Sequence, residues 1–349
     1  MRVSDFSYAL PEGSVAKYPP KVRGTSRLLV LNKKTGELQS EMYRNLYKFL
    51  RPGDAVVLND TRVMRARIFV QKRSDHHSAK RELVVLEKHS GDKDWHCHKV
   101  LYRGKLKVGD RLTIGPATTE LTVEQILGDG LAVVRSDADL LELTEQFGLP
   151  PLPPYMKRAA TAQDIERYQT VFAREQGSAA APTASLNMTS ELIDRLKDKG
   201  VVVAYLTLHV GLGTFMPIRT DEVEGHKMHA EYFEIPKQTV QAITAAKAKK
   251  QRVVAVGTTV ARTLEYASGD ILKCGDASHD ISGEADIFIY PGYNFKIVDT
   301  LLTNFHAPKS TVLMLTAAFA GWDNLKPAYG YAIKSGYKLL SYGDSMIVV

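Results

Sequence analysis

The chain has 349 residues, of which 44% are hydrophobic and 24% charged, and its formal net charge is +7. This composition is ordinary for a globular protein, and the length allows two domains with separate cores. No apolar run is long enough to cross a bilayer and no signal-peptide core opens the chain, so we expect no membrane partner. The positive charge favours a polyanionic partner such as nucleic acid, although an ordinary basic enzyme fits it equally well.

The first part of the chain predicts strands at Arg27–Leu31 and Asp54–Asn59, with a short helix over Tyr43–Leu50 between them. From Thr61 to about Val134 the pattern changes to short alternating runs separated by glycines, which leave no room for helices. This pattern predicts a small antiparallel β-barrel. Its predicted strands are Ala66–Val70, Arg81–Leu86, Trp95–Tyr102, Arg111–Ile114, Leu121–Ile126 and Leu131–Val134.

After a proline-rich connector at Leu149–Tyr155, predicted helices and strands alternate to the C-terminus. The predicted helices include one capped by Thr189 and ended by Gly200, one opened by Pro236 that runs to Lys250, and one over Thr311–Ala320 capped by Ser310. We therefore predict an α/β (mixed α+β) fold. Its α/β sandwich main domain comprises residues 1–60 and 142–349, and a small antiparallel β-barrel domain of residues 61–141 is inserted in it.

The segment Thr207–Phe215 is the most informative of the chain. It follows an apolar run, Val201–Leu206, that predicts a buried strand, so the strand brings His209 to a loop at its end. Gly211 and Gly213 in this loop allow tight turns and the close approach of a ligand. A second segment, Gly225–Glu231, adds His226, His229 and Glu231. This pattern is typical of an active site.

Two other features concern anions and metals. The strand Val254–Val256 enters a turn at Gly257, Thr258 and Thr259, and the helix after it could bind an anion through its first amides or be an ordinary capped helix. The imidazoles and Glu231 could also form a mononuclear metal site, but a His-Glu-x-x-His pattern is lacking and histidine pairs often only make hydrogen bonds. We predict no metal.

The two cysteines, Cys97 and Cys274, are far apart in the sequence and form no disulfide framework. Disulfides are rare in reducing compartments, so this usage predicts a cytoplasmic location. Cys97 lies in Trp95-His96-Cys97-His98, which looks like a metal chelate. On a strand, however, the cysteine points away from both histidines, and we interpret the segment as a barrel strand.

In order along the chain, these segments resemble blocks of the S-adenosylmethionine:tRNA ribosyltransferase-isomerase family of queuosine biosynthesis, across nearly the full length. The resembling blocks are Leu152–Tyr155, Arg167–Val171, Ala180–Ala184, Thr207–Phe215, Gly225–Glu231, Ala255–Thr259 with Arg262 and Glu265, Pro291–Tyr293, Thr303–His306 and Ser341–Asp344. One block departs: the family usually has Gly-Leu-His-Phe where this chain has Ser185-Leu186-Asn187-Met188. The other imidazoles are therefore expected to supply the acid and base.

The resemblance implies an unusual reaction. The family transfers and isomerises the ribosyl group of S-adenosylmethionine onto the aminomethyl group of a deazaguanine at the wobble position of tRNA, which gives epoxyqueuosine, adenine and methionine. It implies a partner tRNA with a GUN anticodon, S-adenosylmethionine as a ribosyl-donating substrate, no prosthetic group and a monomeric protein. The reaction needs a base for the methylene beside the sulfonium and a proton for the departing adenine, and neutral imidazoles suit both steps.

We therefore expect acid/base catalysis from imidazoles that converge at one sheet edge, with Glu231 orienting one of them; the alternative for each is a structural histidine. The candidates are His209, His226, His229 and His306. The donor is expected between the Gly211–Phe215 loop and the Gly257–Thr259 turn, with its carboxylate at the helix start, its adenine on Phe215 or Tyr293, and its cationic groups near Glu265 or Asp344. The other expected substrate-binding residues are Pro182, Thr183, Gly211, Gly213, Thr214, Thr258, Arg262 and Asn304.

The barrel is expected to lie beside the main domain and to contact the anticodon arm through its cations, although solvated surface charge is the alternative for any one of them. The candidate phosphate contacts are Arg62, Arg65, Arg67, Lys72, Arg73, Arg103 and Lys105. Two competing classes fit parts of the same pattern. A metal-dependent hydrolase would use the imidazoles as ligands, and a non-catalytic RNA-binding protein would need only the basic surface.

Overall fold

The structure is a computed structural model that describes residues 1–73, 80–92, 94–115, 119–211, 213, 218–273 and 279–349. Its strands are β1 (Arg27–Leu31), β2 (Leu38–Met42), β3 (Ala55–Asn59), β4 (Thr61–Val63), β5 (Arg67–Lys72), β6 (Arg81–Val85), β7 (Cys97–Arg103), β8 (Arg111–Ile114), β9 (Glu120–Gly128), β10 (Leu131–Ser136), β11 (Glu175–Ser178), β12 (Val202–Leu208), β13 (Glu231–Ile235), β14 (Val253–Val256), β15 (Ile281–Ala285), β16 (Thr300–Asn304) and β17 (Ser345–Val348). Its α-helices are α1 (Leu140–Phe147), α2 (Ala162–Arg167), α3 (Ser190–Asp198), α4 (Lys237–Ala248), α5 (Thr258–Tyr266), α6 (Ser268–Lys273), α7 (Thr311–Ala320) and α8 (Trp322–Lys334).

The main domain is built on a nine-stranded mixed sheet with the strand order β15-β13-β12-β3-β14-β16-β17-β1-β2. Its four central strands, β12, β3, β14 and β16, are parallel to one another, and antiparallel pairs flank them on both sides. The carboxyl ends of the central strands therefore meet at one edge, which we call the carboxyl edge. Open α/β sheets bind ligands outside this edge.

Alternate residues of the central strands pack into separate cores on the two faces of the sheet, as expected for strands buried on both sides. Val57 and Ala255 belong to the larger core, together with apolar residues of α4, α5, α7 and α8. Val56 and Val254 belong to the other core, which α3 and a 3-10 helix at Tyr43–Phe49 cover. The sheet thus lies between two helical layers. No helix among the described residues has the length and apolar character needed to cross a membrane.

Strands β5 to β10 form a closed antiparallel barrel with the order β10-β7-β6-β5-β8-β9. Its interior is filled by alternating apolar residues such as Ile68, Leu83 and Val100.

The predicted fold class, a mixed α/β domain with a small antiparallel barrel, is confirmed. Each of the six predicted barrel strands overlaps an observed one. Strand β4 lies outside the barrel, because it pairs in parallel with β11 of the main domain.

The predicted helix caps are confirmed. The Thr189 side chain accepts a hydrogen bond from the Leu192 amide at the start of α3, and Ser310 does the same for Leu313 at the start of α7. These hydroxyls satisfy amide donors that lack a partner within the helix. The predicted short helix over Tyr43–Leu50 is a 3-10 helix that ends at Phe49.

Two segments, one before β5 and one after β6, join the barrel to the carboxyl edge of the main domain. The Lys88 amide donates to the Gly177 carbonyl at 2.9 Å, and the Met64 amide donates to the Ser178 carbonyl at 2.9 Å. His89 Nδ1 lies 3.0 Å from a carboxylate oxygen of Glu284 on β15. These contacts hold the barrel beside the edge at which the parallel strands end.

Candidate active site at the carboxyl edge

A cavity of about 430 Å³ opens at the carboxyl edge of the sheet. This volume lies within the range of small-molecule sites. Its walls come from the segments that follow β14 and β16, from the turn after β11, and from the segment before β17. The lining residues are Val3, Tyr155, Ala181, Pro182, Thr183, Ala184, Val210, Ile218, Gly257, Thr258, Thr259, Thr303, Asn304, Phe305, His306, Ala307, Pro308, Lys309, Ser310, Val312, Leu340 and Ser341.

Helix α5 points its first turn at this cavity. Its N-cap is Gly257, so no side chain caps the helix, and Gly257, Thr258 and Thr259 all line the cavity. Gly257 has a φ of 102°, a left-handed conformation that favours glycine and turns the chain sharply from β14 into the helix. The amide donors of the first turn and the positive end of the helix dipole therefore remain available to an anionic group.

His306 also borders the cavity, two residues after the end of β16. Its Nε2 lies 2.8 Å from the Thr303 hydroxyl, and its amide donates to the Tyr329 hydroxyl at 2.9 Å. The Tyr8 hydroxyl donates to its carbonyl at 2.5 Å. Burial lowers the pKa of this imidazole to about 3, so it is neutral at pH 7. With Nε2 bonded to Thr303, Nδ1 is the ring nitrogen left for a ligand.

Several polar groups hold the cavity walls in place. The Thr183 hydroxyl donates to Asn304 Oδ1 at 2.9 Å, which joins two predicted binding residues. Tyr155 and Ser341 share a short hydroxyl–hydroxyl hydrogen bond across the opposite wall, and burial raises the pKa of Tyr155 to about 12. Tyr155 and Ser341 lie in segments that resemble the family, but they were not among the predicted site residues.

A smaller crevice adjoins the cavity and shares Thr258, Thr259 and Val312 with it. A buried ion pair forms its polar part: Arg262 Nη1 contacts Glu231 Oε2 at 2.5 Å. Arg262 also donates to the His229 carbonyl at 2.7 Å. The other oxygen of Glu231 accepts the Gly211 amide at 2.8 Å. The pair therefore joins α5, the start of β13 and the glycine loop.

His209 follows β12 but is not part of the described cavity lining. Its Nδ1 lies 2.8 Å from the Thr61 hydroxyl, and its ring packs so closely on Gly177 that a Cβ there would be 2.9 Å from Nε2. Burial first, and then the charge of Lys88, lower its pKa to about 4. His209 thus faces the junction with the barrel, whereas the next residue, Val210, lines the cavity.

His226 and His229 lie near the glycine loop. The His226 ring packs edge-on against Phe288, a residue of the crevice, and burial lowers its pKa below the ordinary value. His229 is exposed and lies against Gly213, where a Cβ would be 2.6 Å from its ring. A Cβ at Gly211 would be 2.3 Å from Glu87 of the barrel junction. The close packing at Gly213 involves the His229 ring and Cβ, whereas at Gly211 it involves the end of the Glu87 side chain.

The described residues do not place the four candidate imidazoles in one cavity. His306 alone is in its described lining, while the other three lie around the glycine loop and the barrel junction. The candidates Thr214 and Phe215, like Cys274, lie outside the described residues.

Three further candidates hold the backbone instead of lining the cavity. Glu265 is buried in α5 and accepts the amides of Lys296, Ile297 and Val298. The Tyr293 hydroxyl donates to the same carboxylate at 3.1 Å. The Asp344 carboxylate accepts the Arg27 and Lys338 amides, at 2.6 and 2.8 Å. These contacts order the loops before β16 and β17.

Asn187, which stands where the resembled family usually has histidine, is buried outside the described lining of the cavity. Its Nδ2 donates to the Gly343 carbonyl at 3.1 Å. The side chain at this position thus tethers the segment before β17, which carries Ser341 in the cavity wall. The side chain at the departing position therefore makes a structural contact in this protein and lies outside the described lining of the cavity.

Most of the candidate cations of the barrel region have acidic partners. Arg65 pairs with Glu145, Arg67 with Glu82, Lys72 with Asp110 and Arg73 with Glu120. These ion pairs reduce the positive charge that is available to bind a phosphate. No ion pair involving Arg62, Arg103 or Lys105 is formed with another described residue.

Within the part of the chain that the structure describes, no three His, Cys, Asp or Glu side chains are grouped so as to hold a metal ion. His98 of the Trp95–His98 segment is buried in the barrel, where its Nε2 bonds the Leu86 carbonyl at 3.1 Å. Cys97 lies on the same strand and faces Glu124. That segment is a barrel strand, as predicted.

A mixed α/β sheet with a largely apolar cavity at its carboxyl edge, bordered by a few polar groups, defines an α/β protein with a small-molecule site. The sequence matches the family described as queuosine biosynthesis protein over residues 3–348. The S-adenosylmethionine:tRNA ribosyltransferase-isomerases of Pelodictyon phaeoclathratiforme and Halothermothrix orenii are 54% and 45% identical to it, over all of both chains in each case. The chain therefore belongs to the queuosine biosynthesis family, and it is an enzyme of the transferase class.

A solved structure agrees with this assignment. The crystal structure of an S-adenosylmethionine tRNA ribosyltransferase from Thermotoga maritima matches 99% of this chain and 100% of its own, with 32% identity and a TM-score of 0.55. The resemblance noted in the sequence is thus confirmed for both family and fold.

Proposed function

We propose that this enzyme transfers and isomerises the ribosyl group of S-adenosylmethionine onto an aminomethyl-deazaguanine at the wobble position of a tRNA with a GUN anticodon. The products are epoxyqueuosine in the tRNA, adenine and methionine. The names of its relatives support S-adenosylmethionine and tRNA as the substrates. The cavity at the carboxyl edge is the proposed donor site.

The observation that carries this proposal is the pairing of an uncapped helix start with a neutral imidazole in one cavity. The first turn of α5 would bind the methionine carboxylate of the donor, because amide donors and the helix dipole both favour an anion. His306 would then lie at the reacting part of the donor. Thr183 and Asn304 line the same cavity and are joined by a hydrogen bond.

His306 suits a proton shuttle. The positive sulfur of the donor acidifies the neighbouring methylene, and an unprotonated Nδ1 can accept that proton. The imidazolium that results can give the proton to the departing adenine, which takes the electron pair of the broken glycosidic bond, while the substrate amine forms the new bond to the ribosyl group and loses a proton to solvent. The sulfur keeps the electron pair of the broken C–S bond and leaves as methionine. His209, His226 and His229 would act from the glycine loop and the barrel junction.

The tRNA would approach from the side on which the barrel adjoins the carboxyl edge. In the barrel region, Arg62, Arg103 and Lys105 are the better candidates for phosphate contacts, because the other predicted cations already have acidic partners. The Arg262–Glu231 pair would hold the glycine loop and the His229 backbone beside the donor, and so would act on binding indirectly.

The test is to incubate the enzyme with S-adenosylmethionine and tRNA carrying the aminomethyl-deazaguanine, and to measure adenine, methionine and the modified nucleoside. All three should form in equal amounts, and only when both substrates are present. A chelator should leave the rate unchanged, whereas a metal-dependent hydrolase would lose activity and regain it with added metal. Binding of tRNA without release of adenine would refute the proposal and favour a non-catalytic RNA-binding protein.

A further inference from the structure

An exposed aromatic ring on the main domain is held in place by a buried ion pair. Tyr18 has 59% of its surface exposed, and the Arg158 guanidinium lies 4.2 Å from the centre of its ring. Arg158 makes two hydrogen bonds of 2.7 Å to the Asp164 carboxylate and donates to the Lys17 carbonyl at 2.7 Å. One face of the Tyr18 ring is thus fixed against a cation, and much of the ring remains open to solvent.

Further positive residues lie on the two segments that meet at this ring. Arg167 Nη1 donates to the Lys21 carbonyl at 3.4 Å, and Arg23 donates to the Gln169 and Leu186 carbonyls at 3.0 and 2.7 Å. These contacts bring the segment around Tyr18 against α2. We call this surface the Tyr18 face, and its residues are Lys17, Tyr18, Lys21, Arg23, Lys157 and Arg167.

Its acidic neighbours do not cancel this charge. The Asp164 carboxylate is buried and fully engaged by Arg158, Thr161 and the Tyr342 hydroxyl. Glu166 is exposed on the same helix, so it offsets a single positive charge. The Tyr18 face therefore presents a net positive surface, in contrast to the paired cations of the barrel.

The Tyr18 face lies next to the wall of the cavity. The Ala16 amide donates to the Leu339 carbonyl at 3.2 Å, and the next two residues, Leu340 and Ser341, line the cavity. Tyr18 is two residues from Ala16, a span of at most about 7 Å. On the other side, Tyr155 lines the cavity and Lys157 follows two residues later.

We propose that the Tyr18 face binds the single-stranded loop of the RNA substrate, with Tyr18 stacking on a base next to the reacting nucleotide. The inference rests on the proposed function, because it assumes that RNA is the substrate. A nucleotide must leave its stack for its base to enter the cavity, and the neighbouring base then loses a stacking partner. An aromatic ring among cations is the arrangement with which proteins bind unstacked bases and their phosphates.

The first experiment compares Tyr18→Ala with Tyr18→Phe in binding to an unmodified transcript of the substrate tRNA. Loss of the ring should weaken binding by roughly 5-fold to 100-fold, the range for one stacked base, while Tyr18→Phe should bind like the wild type. Equal affinity of Tyr18→Ala and wild type would overturn the stacking role.

The second experiment removes charge in matched triples. Lys17→Ala, Lys21→Ala and Lys157→Ala together should weaken tRNA binding and lower the slope of log affinity against log salt by roughly 0.7 for each phosphate that a lysine no longer neutralises. The control triple, Lys34→Ala, Lys249→Ala and Lys326→Ala, removes the same charge from exposed positions elsewhere and should have a much smaller effect. Equal decreases in affinity for both triples would show that the Tyr18 face attracts RNA no more specifically than other exposed lysines do, and this would overturn the inference.

The affinity for S-adenosylmethionine alone separates this inference from the proposed function. The Tyr18 and lysine variants should bind the donor like the wild type, because they lie outside the cavity. If the wild type bound tRNA but released no adenine, the proposed function would fail while the Tyr18 face could still stand. If the wild type turned over and every variant bound tRNA normally, only the Tyr18 face would fail.

Discussion

The His306 imidazole is neutral because it is buried, and replacing it tests whether it carries the proton in the reaction. We expect His306→Gln to lower turnover by about a hundredfold, because Gln can still bond Thr303 but cannot carry a proton between donor and leaving group. Steady-state rates of adenine release measure the effect, and equilibrium binding of S-adenosylmethionine should be unchanged. His96→Gln is the matched control, since His96 is exposed on the barrel. A His306→Gln enzyme with normal turnover would exclude this residue as the proton carrier.

Thr259 tests whether the first turn of α5 binds the donor carboxylate. Thr259→Asp adds a negative charge there, which should favour the helix but repel a bound carboxylate. We expect the Michaelis constant for S-adenosylmethionine to rise at least about tenfold, with that for tRNA nearly unchanged. Thr259→Asn has a similar shape without the charge and should behave like the wild type. Equal effects of the two substitutions would argue against a carboxylate at this position.

The sequence could predict which residue types form the site, but not which of them share a cavity. His306 was a candidate because it follows a strand, and so was His209. Directly after β12, however, His209 and Val210 point in different directions, and the imidazole turns to Thr61 and Gly177. Glu265 and Asp344 were candidates because they are charged residues in the segments that resemble the family. Their partners are backbone amides of loops distant in the sequence, which no local pattern reveals.

At the scale of elements, the sequence predicted a helix or strand wherever a capping residue or the alternation of apolar residues determined it. The Ser310 hydroxyl begins α7 at the predicted residue, and glycine-separated alternation located the barrel strands. Strand order could not be read from the sequence, because it depends on long-range pairing. The parallel pairing of β4 with β11 is an example: β4 lies at the start of the predicted barrel segment but pairs with the main domain.

Helix α5 is joined to β13 by the Arg262–Glu231 pair, whose disruption should destabilise the fold. Arg262→Met would leave a buried carboxylate without its cation, at a cost of about 3–5 kcal/mol in the free energy of unfolding. The double variant Arg262→Met with Glu231→Gln should recover part of this stability, because no buried charge remains. Urea denaturation measures both. If the single and double variants were equally unstable, the destabilisation would come from packing and not from the unpaired charge.

At the scale of the whole molecule, buried histidines should make stability fall in acid. His209 and His306 have folded pKa values of about 4 and 3, below the ordinary value of about 6.5. As the pH falls below 6.5, the unfolded chain binds protons that the folded chain does not, so the free energy of unfolding decreases towards pH 4. His209→Gln should lessen this decrease, as measured by urea denaturation from pH 7 to pH 4. An unchanged pH dependence would contradict the low pKa of His209.

The junction between barrel and main domain should respond to pH in the opposite sense. The carboxylates of Glu87 and Glu284 raise the pKa of His89 to about 9, so the imidazolium bridges the two domains at neutral pH. Because the folded pKa is raised, its stabilisation is complete below about pH 6.5 and is lost as the pH rises through 9. The difference in unfolding free energy between wild type and His89→Gln should therefore be larger at pH 6 than at pH 9.5. A pH-independent difference would show that His89 acts by packing alone.

The His89 contact lies beside Gly211 and His209, so it holds the barrel against the glycine loop. We therefore also expect His89→Gln to weaken tRNA binding more than donor binding.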